Sequence, residues 1–171
     1  MLEVRNLTKT FGDYYAVDHL SFKIEPGSIM GLIGQNGAGK TTTFRLILDF
    51  LTANQGEILW NGKKIGKNDY DIIGYLPEER GLYPKVSIQD QLIYFALLRG
   101  KTKKEIEPKI DEWLSRFQVK GKKTDKVKTL SKGNQQKVQL IATLIHEPQL
   151  IILDEPFSGL DPVNAELLKE G

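Results

Sequence analysis

The sequence Gly34-Gln35-Asn36-Gly37-Ala38-Gly39-Lys40-Thr41 is the most informative stretch of this chain. It fits the phosphate-binding loop pattern, in which a glycine, four free positions and a second glycine precede lysine and then serine or threonine. The glycines allow backbone N–H groups to turn inward and approach a phosphate without a Cβ atom in the way. Lys40 supplies a mobile positive charge for the outer phosphates, and the Thr41 hydroxyl can bind Mg²⁺.

The residues on either side of this loop support the same interpretation. Residues 29–33 form a short apolar run that is typical of a buried parallel strand. Residues 42–48 have helical spacing, with Phe44, Ile47 and Leu48 on one face. A helix that begins at the loop adds its dipole to the anion site. The order of strand, loop and helix therefore predicts an α/β nucleotide site.

Composition limits the class of protein. The chain has 171 residues, of which 27% are charged and 40% hydrophobic, and this balance is ordinary for a soluble globular domain. The formal net charge of +2 neither demands nor excludes an acidic partner. The absence of cysteine excludes disulfides and thiolate metal sites. Apolar stretches such as residues 92–98 are too short to span a bilayer, so a membrane role would require a partner.

Apolar alternation and turn residues predict the strands of the chain. The predicted strands lie at residues 2–7, 20–24, 57–60, 72–76 and 150–153. Pro26-Gly27 and Asn61-Gly62 mark turns, and Pro77 ends the fourth strand. The last strand is entirely apolar, which predicts burial on both of its faces.

Capping residues predict the helices in the middle of the chain. Ser87 caps a helix that ends near Gly100, Thr102 caps a second helix that Pro108 interrupts, and Ser131 starts a third. The buried stripe of the third helix is Val138, Ile141, Ala142 and Ile145. A last helix begins after Pro162. We therefore expect a helical lobe at about residues 86–146, inserted in an α/β core.

Two lysine-rich runs, residues 101–104 and 120–128, raise the question of nucleic-acid binding. Acidic residues are interleaved with the lysines, and no aromatic platform accompanies them. We therefore favour solvated helix ends and loops over a nucleic-acid site.

Two acidic residues, Asp154 and Glu155, follow directly on the last apolar run. A carboxylate at the end of a strand beside a phosphate loop can hold Mg²⁺ through water. A neighbouring carboxylate can orient or deprotonate an attacking water molecule. Two acids at this place are more often an ordinary strand end, but the phosphate loop in the same chain favours the functional interpretation.

Residues 130–136, Leu-Ser-Lys-Gly-Asn-Gln-Gln, open the third helix. Taken alone, Ser131 is an ordinary N-cap. Together with Gly133 at a helix N-terminus it can also form a second anion site, which need not serve the phosphate loop of its own chain.

These motifs, in this order, resemble those of the ATP-binding cassette family, the motor subunits of ABC transporters. Residues 34–42 resemble the Walker A motif, whose nucleotide-binding positions here are Gly34, Asn36, Gly37, Ala38, Gly39, Lys40, Thr41 and Thr42. Residues 150–155 resemble Walker B, residues 130–134 resemble the family signature, and residues 158–161 match the D-loop with Asp161. Phe11 stands where family members place an aromatic ring that stacks on adenine.

The resemblance implies a fold and a mechanism. The fold is an α/β P-loop NTPase cassette with a mainly parallel core sheet, an N-terminal antiparallel β-subdomain and an inserted helical lobe. Lys40 would hold the β- and γ-phosphates of ATP, Thr41 and Asp154 would hold Mg²⁺, and Glu155 would polarise the catalytic water.

The resemblance also implies partners. Two cassettes pair head to tail, so that the signature of each faces the ATP of the other. The signature residues here are Ser131, Lys132, Gly133 and Asn134. Integral membrane transporter subunits convert the closing motion into transport, and residues 79–86 with the following helix would dock them. A cytoplasmic location on the inner face of the cell membrane follows from this assembly, and no nucleic acid is expected.

Two departures from the family pattern concern the signature and the Mg²⁺-sensing position. Lys132 replaces the first signature glycine and Asn134 the final glutamine, a variant similar to bacterial sodium- and drug-extrusion cassettes, which suggests export. Glu78 stands where the family carries a Mg²⁺-sensing glutamine. A carboxylate there can bind Mg²⁺, but it also repels the γ-phosphate.

A third departure concerns a switch histidine that family members carry downstream of Walker B. The sequence ends before that position, and His19 and His146 lie elsewhere. We therefore expect a truncated cassette that binds nucleotide weakly and hydrolyses ATP poorly.

Three alternatives remain beside a transporter motor. A DNA-repair cassette would carry a long coiled-coil insertion, and residues 41–130 contain no sustained heptads. A translation-factor cassette with a second copy elsewhere is not excluded by the sequence. A module that only binds nucleotide is a third possibility, against which Glu155 argues.

Overall fold

A computed structural model describes residues 1–79 and 81–155 of the chain. The chain divides into two compact units, of which the first comprises residues 1–70 and the second begins at residue 71. The predicted helix after Pro162 and the predicted D-loop lie outside the described residues.

The first unit contains an antiparallel sheet and one helix. Its strands are β1 (Leu2–Phe11), β2 (Tyr14–Ile24), β3 (Gln55–Trp60) and β4 (Lys63–Lys64), and its helix is α1 (Lys40–Ile47). The strand order is β2-β1-β3-β4, with antiparallel pairing throughout. The central strand β1 buries Leu2, Val4 and Leu7. The strands predicted at residues 2–7, 20–24 and 57–60 are confirmed.

A charged group is buried in the same sheet. Glu3 is almost inaccessible, and its carboxylate lies 2.7 Å from Arg5 and 2.8 Å from Lys23. Hydrogen bonds from these two cations lower the pKa of Glu3 to about 2. The carboxylate is therefore ionised and paired, as a buried charge has to be.

The strand predicted at residues 29–33 is wrong. These residues lie outside every strand of the described chain, and the side chains of Ile29 and Ile33 are fully exposed. A strand needs a neighbouring strand to bond its N–H and C=O groups. Apolar composition gives a local preference for extended backbone but does not supply that neighbour.

The second unit contains two parallel strands, β5 (Ile73–Leu76) and β6 (Leu150–Leu153). Ile73 pairs with Leu150 and Leu76 with Leu153. Both strands confirm the predicted apolar runs. The predicted burial of β6 on both faces is wrong, because Ile151 is 48% exposed. Burial depends on what covers a strand, and the apolar run itself carries no information about that cover.

Four helices lie between these strands. They are α2 (Ile88–Leu97), α3 (Lys103–Ile106), α4 (Ile110–Arg116) and α5 (Lys132–Leu144). Ser87 caps α2 by accepting a hydrogen bond from the Asp90 N–H at 3.1 Å, as predicted. Pro108 lies in the 3₁₀ turn that separates α3 from α4. The helices share one apolar core, which includes Ile88, Leu92, Ala96, Ile106, Ile110, Val138, Ile141 and Ile145.

The compact unit that holds these helices also holds β5 and β6. The lobe boundary at about residues 86–146 therefore stays a prediction. Among the described residues, no helix is long and apolar enough to cross a bilayer.

Candidate functional site

The glycine-rich loop of residues 34–41 leads directly into α1. Gly37 and Gly39 have φ angles of +85° and +84°, a region that favours glycine. Gly39 is also the N-cap of α1, so no side chain bonds the first turn of the helix from that position. The sequence thus folds locally into a tight loop that opens onto a helix N-terminus.

Gly39 also packs against strand β2. A Cβ atom added to Gly39 would lie 2.0 Å from the carbonyl oxygen of Ala16. Real Cβ atoms do not approach an oxygen so closely, so only glycine fits at this position. The loop therefore rests directly on the backbone of β2.

The Lys40 side chain folds back into the loop. Its ammonium donates to the carbonyl oxygens of Gly34 at 2.8 Å and Gln35 at 3.1 Å. The Ala38 N–H donates to the same Gln35 oxygen at 3.1 Å. The loop thus holds a positive charge and inward-facing donors at one place, which is the chemistry that a phosphate requires.

The first turn of α1 adds further donors. Thr43 bonds Gly39 through its N–H at 2.8 Å and its hydroxyl at 2.9 Å. The N–H groups of Lys40, Thr41 and Thr42 have no partner inside the helix, as in any first turn. They are available to an anion, and the positive end of the helix dipole favours one here.

Two aromatic side chains stand at the end of the β1–β2 hairpin. Phe11 pairs directly with Tyr14 across the hairpin, and both rings are more than half exposed. The Lys9 ammonium lies 5.2 Å from the Phe11 ring centroid, which is a cation–π contact. The opposite face of the Phe11 ring could stack on a nucleotide base, so that the ring would lie between this base and the Lys9 ammonium.

Tyr14 is a residue that the sequence did not single out. Its hydroxyl donates to the carbonyl oxygen of Gly37 at 3.0 Å. The only signal in the sequence is a tyrosine that follows Phe11 across a two-residue turn, Gly12-Asp13. That signal does not reveal a contact with a loop more than twenty residues away along the chain.

The predicted acidic residues lie in the second unit. Asp154 is almost completely buried, and its N–H donates to the Leu76 carbonyl at 2.9 Å, which extends the pairing of β5 and β6 by one bond. Glu155 is exposed and has a φ angle of +53°. Because β5 and β6 are parallel, Asp154 and the segment leading to the exposed Glu78 leave the same edge of the sheet.

The predicted signature forms the start of α5. Ser131 is the N-cap, and its hydroxyl oxygen accepts from the Asn134 N–H at 3.3 Å and from the Asn134 side chain at 3.0 Å. The Asn134 side-chain oxygen accepts from the Lys120 N–H at 2.9 Å. Because the Ser131 oxygen is the acceptor in both bonds, its proton can still be donated to an anion.

The oxygen donors assigned to Mg²⁺ come from both units, Thr41 from the first and Asp154 and Glu78 from the second. Among the described residues no cluster of three or more His, Cys, Asp or Glu could hold a metal. The predicted D-loop residue Asp161 lies outside the described residues.

Comparisons with family models, curated proteins and solved structures all point to the same protein family. A family model described as ABC transporter matches residues 17–158. The chain is 55% identical over 170 residues to an uncharacterized ABC transporter ATP-binding protein, YhaQ, of Bacillus subtilis (strain 168). It is 32% identical over 173 residues to the Nod factor export ATP-binding protein I of Cupriavidus metallidurans.

The extent of these matches is also informative. Each alignment covers 99% of this chain and 57% of the relative, so the chain spans little more than half the length of these proteins. A solved ATP binding subunit of an ABC transporter superposes with a TM-score of 0.88 at 31% identity. That superposition covers 99% of this chain and 72% of the solved chain.

Proposed function

The chain belongs to the ABC transporter family, and on this premise we propose that it binds ATP and, within the whole subunit, hydrolyses ATP to drive export across a membrane. The observation that carries the proposal is the Lys40 ammonium inside the glycine-rich loop, 2.8 Å from the Gly34 carbonyl oxygen. Phosphate oxygens of an entering ATP would replace these carbonyls as acceptors. Charge-assisted bonds of this kind are about twice as strong as neutral ones.

The base of ATP is assigned to Phe11. One face of this ring meets the Lys9 ammonium, and the side chain is 52% exposed. Stacking of adenine on the other face would fix the base beside the loop, because Phe11 belongs to the hairpin on which the loop rests. Stacking of this type tolerates other bases, so ATP preference over GTP is expected to be weak.

The hydrolytic step is assigned to a set of Mg²⁺ ligands and to a general base. Thr41 and Asp154 are proposed to bind Mg²⁺, with Glu78 as an additional ligand, and Mg²⁺ when bound offsets negative charge on the phosphates. Glu155 is proposed to polarise the attacking water as a general base. The exposed position of Glu155 supports this role, because water reaches its carboxylate freely.

A second copy of the subunit is proposed to complete the site. The signature residues Ser131, Lys132, Gly133 and Asn134 would contact the ATP held by that copy. The support is local: the Ser131 hydroxyl keeps a proton to donate, and Lys132 is exposed at the N-terminus of α5. A phosphate there would meet a positive charge and the positive end of a helix dipole together.

The membrane-spanning partner is proposed to dock on an aromatic cluster formed by Tyr83, Tyr94 and Phe95. The ring centroids lie 5.4 to 6.3 Å apart, and the neighbouring Leu97 and Leu98 are about half exposed. A hydrogen bond with Tyr83 raises the pKa of Tyr94, so the Tyr94 phenol stays neutral at physiological pH. A contiguous exposed apolar patch of this kind is typical of a protein–protein interface.

Export and a position on the inner face of the membrane follow from the same proposal. The relative named for Nod factor export supports the direction of transport. The signature variant with Lys132 and Asn134 supports it independently.

The test is calorimetric titration of the 171-residue chain with ATP in the presence of Mg²⁺. We expect saturable binding with one nucleotide per chain. The same titration with Mg²⁺ alone should release little heat, because the protein supplies few ligands without the phosphates. Absence of ATP binding in a folded sample would reject the proposal.

A further inference from the structure

We propose that Tyr14 is a positioning residue for the phosphate-binding loop: its hydroxyl fixes the Gly37–Ala38 peptide so that the Ala38 N–H points to the phosphate side. This inference rests on the proposed function, since it concerns the same nucleotide. It assigns a role to a side chain outside the glycine-lysine motif and on another element of the fold.

The argument begins with the geometry of one peptide unit. In a trans peptide the C=O and N–H groups point in opposite directions. The Gly37 carbonyl points out of the loop and accepts from the Tyr14 hydroxyl at 3.0 Å. The Ala38 N–H of the same peptide therefore points into the loop, where it donates to Gln35 at 3.1 Å.

The interior of the loop is where the positive charge lies. The Gln35 carbonyl oxygen that receives the Ala38 N–H also receives the Lys40 ammonium at 3.1 Å. A phosphate that takes the place of this carbonyl would be offered both donors at once. The Tyr14 bond thus holds one of the two donors in a binding orientation before the ligand arrives.

The peptide needs such a restraint because glycine is conformationally free. Gly37 has a φ angle of +85°, and a Cβ atom added there would meet no atom of the described residues within 4 Å. Side-chain packing therefore does not hold Gly37 in place, whereas Gly39 is pressed against the Ala16 carbonyl. The hydrogen bond from Tyr14 to the Gly37 oxygen opposes rotation of the Gly37–Ala38 peptide from one side, and the Ala38 N–H bond to Gln35 opposes it from the other.

Tyr14 is itself well placed to act as a fixed anchor. It pairs with Phe11 in the β1–β2 ladder, so its backbone is held by the sheet. The loop touches the same strand again at Ala16. The hairpin therefore fixes the loop at one point by packing and at a second point by the Tyr14 hydroxyl.

A matched pair of variants tests the proposal in the 171-residue chain. Tyr14→Phe removes the hydroxyl and keeps the ring. Tyr15→Phe is the control, since Tyr15 is equally exposed and follows Tyr14 on the same strand, where successive side chains point to opposite faces. Affinity for ATP with Mg²⁺ is measured by calorimetry, and the unfolding midpoint is measured without nucleotide.

We expect Tyr14→Phe to weaken ATP binding roughly three- to tenfold, the range for one neutral hydrogen bond, and Tyr15→Phe to leave it unchanged. The ¹⁵N–¹H resonance of Ala38 without nucleotide should shift in Tyr14→Phe and not in Tyr15→Phe. A purely structural role would lower the unfolding midpoint and leave the affinity for ATP unchanged.

The outcomes separate the two proposals. If the unaltered chain and Tyr14→Phe bind ATP equally well, or the Ala38 resonance is unmoved, the role of Tyr14 is rejected while the proposed function stands. If the unaltered chain does not bind ATP, the proposed function falls and the inference falls with it.

Discussion

A methyl group in place of one hydrogen of Gly74 would lie 2.6 Å from the carbonyl oxygen of Thr143. Strand β5 therefore crosses α5 in direct backbone contact. The contact matters for the candidate site because β5 leads to Glu78 and α5 begins at the signature. Two hydrogen bonds join the same parts of the chain. The Gln139 side chain of α5 donates to the Glu79 carbonyl at 3.1 Å, and the His146 ring, just after α5, lies 3.3 Å from the Ile73 carbonyl of β5.

Replacement of Gly74 by alanine should test this close crossing. The added methyl would overlap a backbone atom, which cannot move without displacing α5, so we expect a loss of about 2–3 kcal/mol in the free energy of unfolding. Gly66→Ala is the control, because in the described part of the chain a Cβ atom there meets nothing within 4 Å. Urea denaturation of both variants gives the comparison, and equal stability would contradict the described packing.

The environment of His146 predicts a pH dependence of stability. The ring is buried, its Nε2–H donates to the Ile73 carbonyl, and its Nδ1 has no partner among the described residues. Burial lowers the pKa of His146 below its ordinary value of 6.5, and the positive charges of Arg99 and Lys101 act in the same direction. The fold therefore favours the neutral ring.

The unfolded chain takes up this proton at about pH 6.5, whereas the folded chain resists it. Stability should be complete above that pH and fall below it, by at most about 1.4 kcal/mol per pH unit. The variant His146→Leu should lose this part of the pH dependence. Denaturation at pH 7.5, 6.5 and 5.5 measures the difference, and parallel curves would argue against a buried neutral histidine.

Local signals in the sequence predicted much of the fold. The Ser87 cap, the break at Pro108 and the Ser131 cap depend on residues within one turn of the helix they delimit, and all three are confirmed. The glycine-lysine loop is equally local, because its function depends on backbone freedom and on one charge within a few residues.

Features that depend on distant neighbours could not be predicted in this way. The exposure of Ile29, Ile33 and Ile151 depends on which elements cover them. The contact of Tyr14 with Gly37 depends on the register of the β1–β2 hairpin, which brings Tyr14 opposite Phe11 and over the loop. The residues of a single segment therefore predict neither the exposure of these isoleucines nor the contact of Tyr14 with Gly37.

The signature segment yields a prediction about Asn134. Its side chain joins Ser131 to the Lys120 backbone, so Asn134→Ala should lower the free energy of unfolding by about 1–2 kcal/mol. Lys132→Ala is the control, because Lys132 is exposed on the same turn. Thermal unfolding of the two variants measures the effect, and an unchanged midpoint for Asn134→Ala would rule out a structural role for this side chain.

The Lys40 assignment is tested by Lys40→Ala. The side chain is expected to form charge-assisted bonds with phosphate oxygens, so its loss should weaken ATP binding by at least about 100-fold. Arg45→Ala removes a charge of the same sign from the exposed side of the same helix and should have little effect. Calorimetry with Mg²⁺ and ATP distinguishes the two, and micromolar affinity retained in Lys40→Ala would be incompatible with the assigned role.

The Glu155 assignment is tested in a protein of full family length, because this chain covers little more than half the length of its relative YhaQ. Glu155→Gln keeps the shape of the side chain and removes its ability to accept a proton, so ATP should bind but remain unhydrolysed. The signature of each copy would then stay on the ATP of the other, and light scattering with Mg²⁺ and ATP should give about twice the monomer mass.

Glu112→Gln, on the exposed side of α4, is the control and should hydrolyse ATP and remain mainly monomeric. A Glu155→Gln protein that binds ATP but stays monomeric would count against the head-to-tail dimer, whereas full hydrolysis would remove Glu155 from the catalytic role.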